Sequence, residues 1–491
     1  MSYQQPQYGN APYGQPQNWQ QPYGQPQPNY SQPQYNPPYA PQDQKVPEDS
    51  KKHGSTSNVS GRPVYQDLWA ALLYLFHFVV LIGLGGYCIH AFINHARFGD
   101  TSSSGGNSLP VPDHTLGISI ASMLAVAIVF TSFYTYLMYR HAKKLIYFTF
   151  IMNIAFTVAL GVLYIAQRVM NGAVVMFIIA GLQLIFFYFS RNRIPFAALV
   201  LESVVGVLKR YPAMLNVPIV VMIATVTLSV FIAFAMVGSM FAFENGGYSI
   251  IFFIFSLYWT QQVIANTGHV TLSGVYSTFY FMEGTGQAIS NPTGSSAKRA
   301  LTYSFGSICF GSLIVAIIQF LRELLRQSAR DGSFFGAVMG CCLGYIESLI
   351  EYFNHYAYVQ VAMYGKPFCA AAKDTWTMVK SRGVDAIIND NFVGTALSFG
   401  SLICGVLSAA VAGLVIATGI TSDSDSVKII VIFVVIGLFV GLVIFSTVTT
   451  VVNSGTATIF VCLAVDPNSL RRNNPELFAK FAEVYPEVNF A

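Results

Sequence analysis

Seven residues of one apolar stretch, Trp259, Gln262, Asn266, His269, Ser273, Tyr276 and Tyr280, are spaced 3, 4, 3, 4, 3 and 4 apart. Side chains at that spacing share one face of an α-helix, so the sequence predicts a stripe of amides, an imidazole, hydroxyls and aromatic rings running the depth of a membrane. Polar groups are costly in hydrocarbon and usually face a bundle interior or a solute path. The stripe has no fixed positive charge, which suits an anion poorly. It suits a weakly hydrated organic cation held by cation–π contact with Trp259, Tyr276 or Tyr280, and a neutral solute also fits. The plainer reading is that these groups hydrogen-bond neighbouring helices as packing contacts.

A second set lies in the stretch 334–363, where Glu347, Glu351, Asn354 and Tyr358 share a face with His355, Tyr345, Tyr352 and Tyr356 around them. Within a bilayer, Glu351 or Glu347 would balance a cation's charge or carry a proton, and His355 or His269 could relay it. At the interface the same glutamates would simply be hydrated. Asn153, Gln183, Gln319 and His77 stand alone in apolar runs and read as hydrogen-bonded packing residues. The seven cysteines lack the spacing of a zinc site or a secreted disulfide framework and read as packing residues, with Cys341 and Cys342 as a possible acylation pair. No Gly-rich phosphate loop, paired-histidine motif or nucleophile elbow occurs at a plausible site, so no enzyme, cofactor, metal or ATP-driven pump is expected.

These side chains need helices long enough to cross about 30 Å of hydrocarbon. The 491 residues are 54% hydrophobic and 10% charged, too little polar surface for a soluble protein. The mean hydropathy is +0.51. Ten apolar runs can be placed, at 68–93, 115–138, 145–166, 172–190, 214–242, 249–272, 302–321, 334–363, 392–419 and 428–452. The expected fold is therefore an all-α polytopic membrane domain of about ten transmembrane helices over residues 63–465. An even number of spans puts both termini on one side. With the termini cytosolic, about 20 of the 26 Lys and Arg residues fall inside, as the positive-inside rule requires. The exception is Arg322, Arg326 and Arg330, at helical spacing just beyond the seventh run. Either that helix projects past the membrane or the stretch 302–363 crosses less completely, in an eight-span arrangement of the same parity.

Residues 1–62 form a Gln/Pro/Tyr-rich tail and linker with few aliphatic side chains, expected to be disordered and cytosolic, and able to recruit tail-binding proteins. Residues 466–491 read as a cytosolic C-terminal tail. Pro195 opens an amphipathic helix at about 195–210, too short and too charged to span, which reads as lying along the inner interface. Basic residues are scattered between apolar runs, not concentrated on one face, so nucleic acid is not an expected partner; membrane lipids and a small solute are. The glycines Gly83, Gly85, Gly86, Gly161, Gly181, Gly400 and Gly405 read as sites of close helix approach.

Phe305-Gly306-Ser307, Leu313 to Gln319, Cys341-Cys342, His269 to Tyr276, Phe460 to Asp466 and above all the block Asn354 to Ala372 are the stretches by which the chain, from about residue 195 to the end, resembles the choline transporter-like family. The tail and the short first outward loop are similar to the fungal pH-nine-sensitive protein branch. The resemblance implies a ten-helix, multi-pass plasma-membrane protein with both ends cytosolic; in animal members it implies uptake of choline or related amines. Shared fold does not transfer specificity. The expectation is a secondary transporter or facilitator of a small solute such as choline or ethanolamine. The alternative is a non-transporting membrane scaffold or lipid-interacting protein.

Overall fold

In the computed structural model the described residues are 64–99, 113–243, 247–283, 290–330, 334–419 and 426–484, all within one compact unit, Ser60–Ala491. The tail expected at 1–62 lies outside them, as do 485–491. The described residues form helices and no strands: α1 Leu68–Gly99, α2 Asp113–Ala166, α3 Met170–Ser190, α4 Ile194–Arg210, α5 Asn216–Ala242, α6 Gly247–Met282, α7 Pro292–Leu301, α8 Phe305–Arg330, α9 Phe334–Tyr364, α10 Phe368–Gly419, α11 Ser426–Val465, α12 Pro467–Asn473 and α13 Pro475–Val484.

Eight segments of the described residues are long and apolar enough to cross a membrane. Two differences separate this number from the ten apolar runs. The second and third runs are joined in α2, whose 54 residues would stretch about 81 Å at 1.5 Å per residue, far beyond one hydrocarbon core. The helix breaks at His141 (φ −137°, ψ 34°), within the basic cluster Arg140, Lys143 and Lys144. Tyr134 before the break donates to the Ala396 carbonyl at 2.5 Å, and Phe148 after it packs on Phe399. Both arms thus meet one short stretch of α10. The second difference is α9, whose acids, amides and tyrosines dilute its apolar content. Its second half is enclosed by α6, α8, α10 and α11, with Tyr356, Ala357, Tyr358, Val359 and Val361 fully buried. A helix sheltered by protein needs no lipid-compatible surface there.

The stretch expected to lie along the interface is α4, and its apolar side chains are covered by protein. Eleven of its residues are buried, against α2, α10, α11 and α13, while Glu202, Lys209 and Arg210 are exposed. The expected C-terminal tail begins with two further helices. Phe481 is fully buried and meets Phe196 of α4, and Asn473 donates to the Phe281 carbonyl at 2.7 Å. Three short helices start alike: Asn291-Pro292, Asp466-Pro467 and Asn474-Pro475 each pair an Asx cap with a proline. The cap oxygens accept from the backbone N–H of Gly294, Ser469 and Leu477.

Asp67 ties the entrance of α1 to two distant helices. It adopts the left-handed conformation (φ 48°), which Asp tolerates better than most residues. Its Oδ2 accepts from the Ser307 hydroxyl at 2.7 Å, at the start of α8, and from the Phe368 backbone N–H at 2.8 Å, at the start of α10. Hydrogen bonds to a charged acceptor are worth about 1.5–3 kcal/mol each, so Asp67→Ala is expected to destabilise by roughly that amount or more. Asp67→Asn, which keeps an acceptor and tolerates the backbone, should lose less. Melting of the detergent-purified protein measures both, and an Ala variant as stable as the parent would remove this tie from the fold's support.

Candidate functional site

Helix α6 presents the seven stripe residues on one face, as their spacing predicts, but that face meets a different neighbour at each level. At one end the Trp259 indole N–H donates to the Cys309 carbonyl at 3.2 Å. Its ring is enclosed by His77, Tyr74 and Phe255, with centroids at 4.8, 5.3 and 5.8 Å. At the other end the Tyr276 hydroxyl donates to the Val204 carbonyl at 3.3 Å and the Tyr280 hydroxyl to the Asp466 carbonyl at 2.9 Å. Both tyrosines are completely buried, as is Ser273, whose hydroxyl has no partner among the described residues. The three aromatic faces are thus covered by protein, and their polar tips bind α6 to α8, to α4 and to the residue that caps α12.

Between these ends the stripe joins a polar track shared by α6, α8 and α9. Gln262 and Gln319 both donate a side-chain amide N–H to Glu351 Oε1, at 3.3 and 2.9 Å. The Asn266 amide nitrogen lies 3.0 Å from Ser312 Oγ and 3.4 Å from both the Tyr358 hydroxyl and Gln262 Oε1. One turn further, His269 Nε2 is 2.9 Å from the His355 carbonyl and Nδ1 is 2.9 Å from Ser454 Oγ. A carbonyl can only accept, so a neutral imidazole protonated at Nε2 satisfies both contacts, with Nδ1 accepting from the serine. The His269 and His355 rings stack at 3.9 Å.

The second set divides. Glu351 is bound by amides and pairs with no cation among the described residues, whereas Glu347 forms an ion pair with Arg322 at 2.6 Å. The charge of Glu347 is therefore balanced by the protein's own Arg322, whose guanidinium is partly exposed. The same pair accounts for Arg322, which stood on the wrong side of the charge count; Arg326 pairs with Glu323 at 3.6 Å on α8, which continues as a helix to Arg330.

Gln319 is not isolated, as the sequence reading had it, and Ser312 and Arg322 were missed as members of the track. The signal was present: Ser312, Gln319 and Arg322, spaced 7 and 3, share one face of α8. Asn153 and Gln183 do pack together, at 3.1 Å between α2 and α3, and His77 lies in an aromatic nest. What the track offers chemically is one carboxylate without an ion-pair partner among the described residues, Glu351, a second already paired with Arg322, and several neutral donors and acceptors.

A family model described as plasma-membrane choline transporter matches residues 174–468, more than half of the chain and all of the polar track. The chain belongs to the choline transporter-like family. Among its relatives, Protein PNS1 of Gibberella zeae is 34% identical over 463 residues, covering 87% of this chain and 84% of the relative. Protein pns1 of Aspergillus fumigatus is 32% identical, with 88% and 85% covered. A CTL-like protein of Dictyostelium discoideum is 33% identical, with 86% and 76% covered. Family membership and the apolar helices together define a multi-pass membrane protein of transporter type, with fungal homologues named PNS1.

Proposed function

We propose that this choline transporter-like protein is a plasma-membrane secondary transporter or facilitator of a small organic cation of the choline or ethanolamine class, with both termini cytosolic. The observation that carries the reading is Glu351, a carboxylate on α9 held by amides from α6 and α8 and left without a cation among the described residues. Gln262, Asn266 and His269 line the same track, with His355 stacked beside His269. On this reading Trp259 closes one end of the path, and Ser273, Tyr276 and Tyr280 close the other. Glu351 is itself exposed, at the open edge of the track, where a solute could reach it, and polar groups within membrane helices are where solute and proton paths run.

Purified protein in vesicles, offered labelled choline, ethanolamine and an uncharged solute with and without a pH gradient, tests this directly. Saturable uptake of an amine is expected, with Asn266→Ala reducing it about tenfold, the equivalent of ~1.4 kcal/mol in the pathway. Amine entry no faster than into empty vesicles would leave the scaffold or lipid-interacting reading in its place.

A further inference from the structure

A cleft of about 800 Å³ opens on the flank of the bundle between the first arm of α2, the corner joining α4 to α5, and α11. It lies outside the polar track. Its walls are apolar, with Ile128, Leu208, Ile219 and Val443 among them, and one strip of hydroxyls, Thr131, Ser132 and Thr135. Along α2 it extends from Ile128 to Tyr139, about 17 Å at 1.5 Å per residue, close to half of a ~30 Å hydrocarbon core. Ile128, Tyr136 and Val443 are exposed at its rim, so the cleft faces the space lipid would occupy.

Its mouth is basic. Lys209 stands there with Nζ 4.9 Å from the centre of the Tyr139 ring and pairs with no carboxylate among the described residues. Its neighbour Arg210, by contrast, is paired with Glu283. Arg140, Lys143 and Lys144 follow on α2 and line a separate cleft together with Glu202, Lys480 and Glu483. An apolar slot one leaflet deep, ending at a lysine with no counter-ion, is complementary to an acyl chain beneath an anionic headgroup.

We infer that this cleft is a specific binding site for an anionic phospholipid, with one acyl chain between α2, α5 and α11 and the headgroup phosphate or carboxylate at Lys209. The hydroxyls of Thr131, Ser132 and Thr135 do not oppose this, because helix hydroxyls can return their hydrogen bonds to the helix: Ser132 donates to the Ile128 carbonyl at 2.8 Å and Thr135 to the Thr131 carbonyl at 2.7 Å. The site rests on geometry and charge apart from the transport track, so it stands or falls separately from the proposed function.

Native mass spectrometry of the delipidated full chain, offered phosphatidylserine and phosphatidylcholine with identical acyl chains, reads the proposal. The parent should retain phosphatidylserine preferentially, by about fivefold for a single lysine near the headgroup. Lys209→Gln should abolish the preference and Lys209→Arg should keep it. Ser132→Trp, which fills the slot from its rim, should reduce retention of both lipids. Arg191→Gln is the control, since Arg191 makes a similar contact 4.8 Å over Tyr188 away from the cleft, and it should change nothing. Equal retention of the two lipids by the parent, an unaltered preference in Lys209→Gln, or the same loss in Arg191→Gln would each overturn the site. Variants are compared only where they elute as the parent does.

Discussion

Glu351→Gln is expected to lower kcat/KM for a cationic amine by on the order of tenfold to a hundredfold, ~1.4–2.8 kcal/mol, while sparing a neutral tert-butyl isostere of choline. The substitution keeps the shape of the side chain and an oxygen that can accept from Gln262 and Gln319. What it removes is the charge. Because no Lys or Arg among the described residues pairs with Glu351, no cation of the protein is stranded by the change. Glu347→Gln is the informative contrast: it removes the partner of Arg322, a guanidinium that water can reach, so it should cost little stability and leave the preference for the charged solute intact. Uptake of both solutes in vesicles, with melting of each variant alongside, separates the two. Equal loss of the charged and neutral solutes in Glu351→Gln would remove the carboxylate from recognition.

A large structural effect is expected where α10 and α11 touch. Gly437 and Gly441, four residues apart, let α11 approach the backbone of α10. A Cβ on Gly437 would lie 2.7 Å from the Ser408 carbonyl oxygen, and one on Gly441 2.6 Å from that of Cys404. Backbone atoms of a packed helix cannot swing aside as a side-chain tip can, so even alanine must push the helices apart. Overpacking of this kind costs about 1–3 kcal/mol per site, and two neighbouring sites need not add. The double variant Gly437→Ala with Gly441→Ala should therefore lose most of its monodisperse protein on size-exclusion chromatography. Gly86→Ala and Gly181→Ala, with nothing within 4 Å of the new carbon, should behave as the parent. A double variant that purifies and melts normally would show that the close approach is dispensable.

Legibility was uneven in the glycines and the track alike. Gly85, Gly161, Gly400 and Gly405 do meet neighbours closely, whereas Gly83, Gly86 and Gly181 face open space; the pair at 437 and 441 was overlooked. A glycine in an apolar run announces permission for close approach, and whether a partner uses it depends on how the helices cross. The stripe on α6 was readable because helical periodicity is local. Its division into an aromatic lock, a polar track and a clamp on the C-terminal helices was not, because Tyr280 and Asp466 are 186 residues apart and meet only in the folded bundle. The same holds for Gln319, which looks solitary in its own run and finds Glu351 on another helix.

Composition and periodicity alone established an all-helical membrane domain, the shared face of the seven stripe residues and the acids of α9, since hydrocarbon length and the helical repeat act within each segment. Only the tertiary structure decided that Glu347 is neutralised by Arg322 while Glu351 is not, that α4 and the C-terminal segment are buried against the bundle, and that α2 bends at His141. Each of these depends on which surfaces the chain brings together from far apart, and electrostatic pairing and burial are properties of those meetings rather than of any one run of residues.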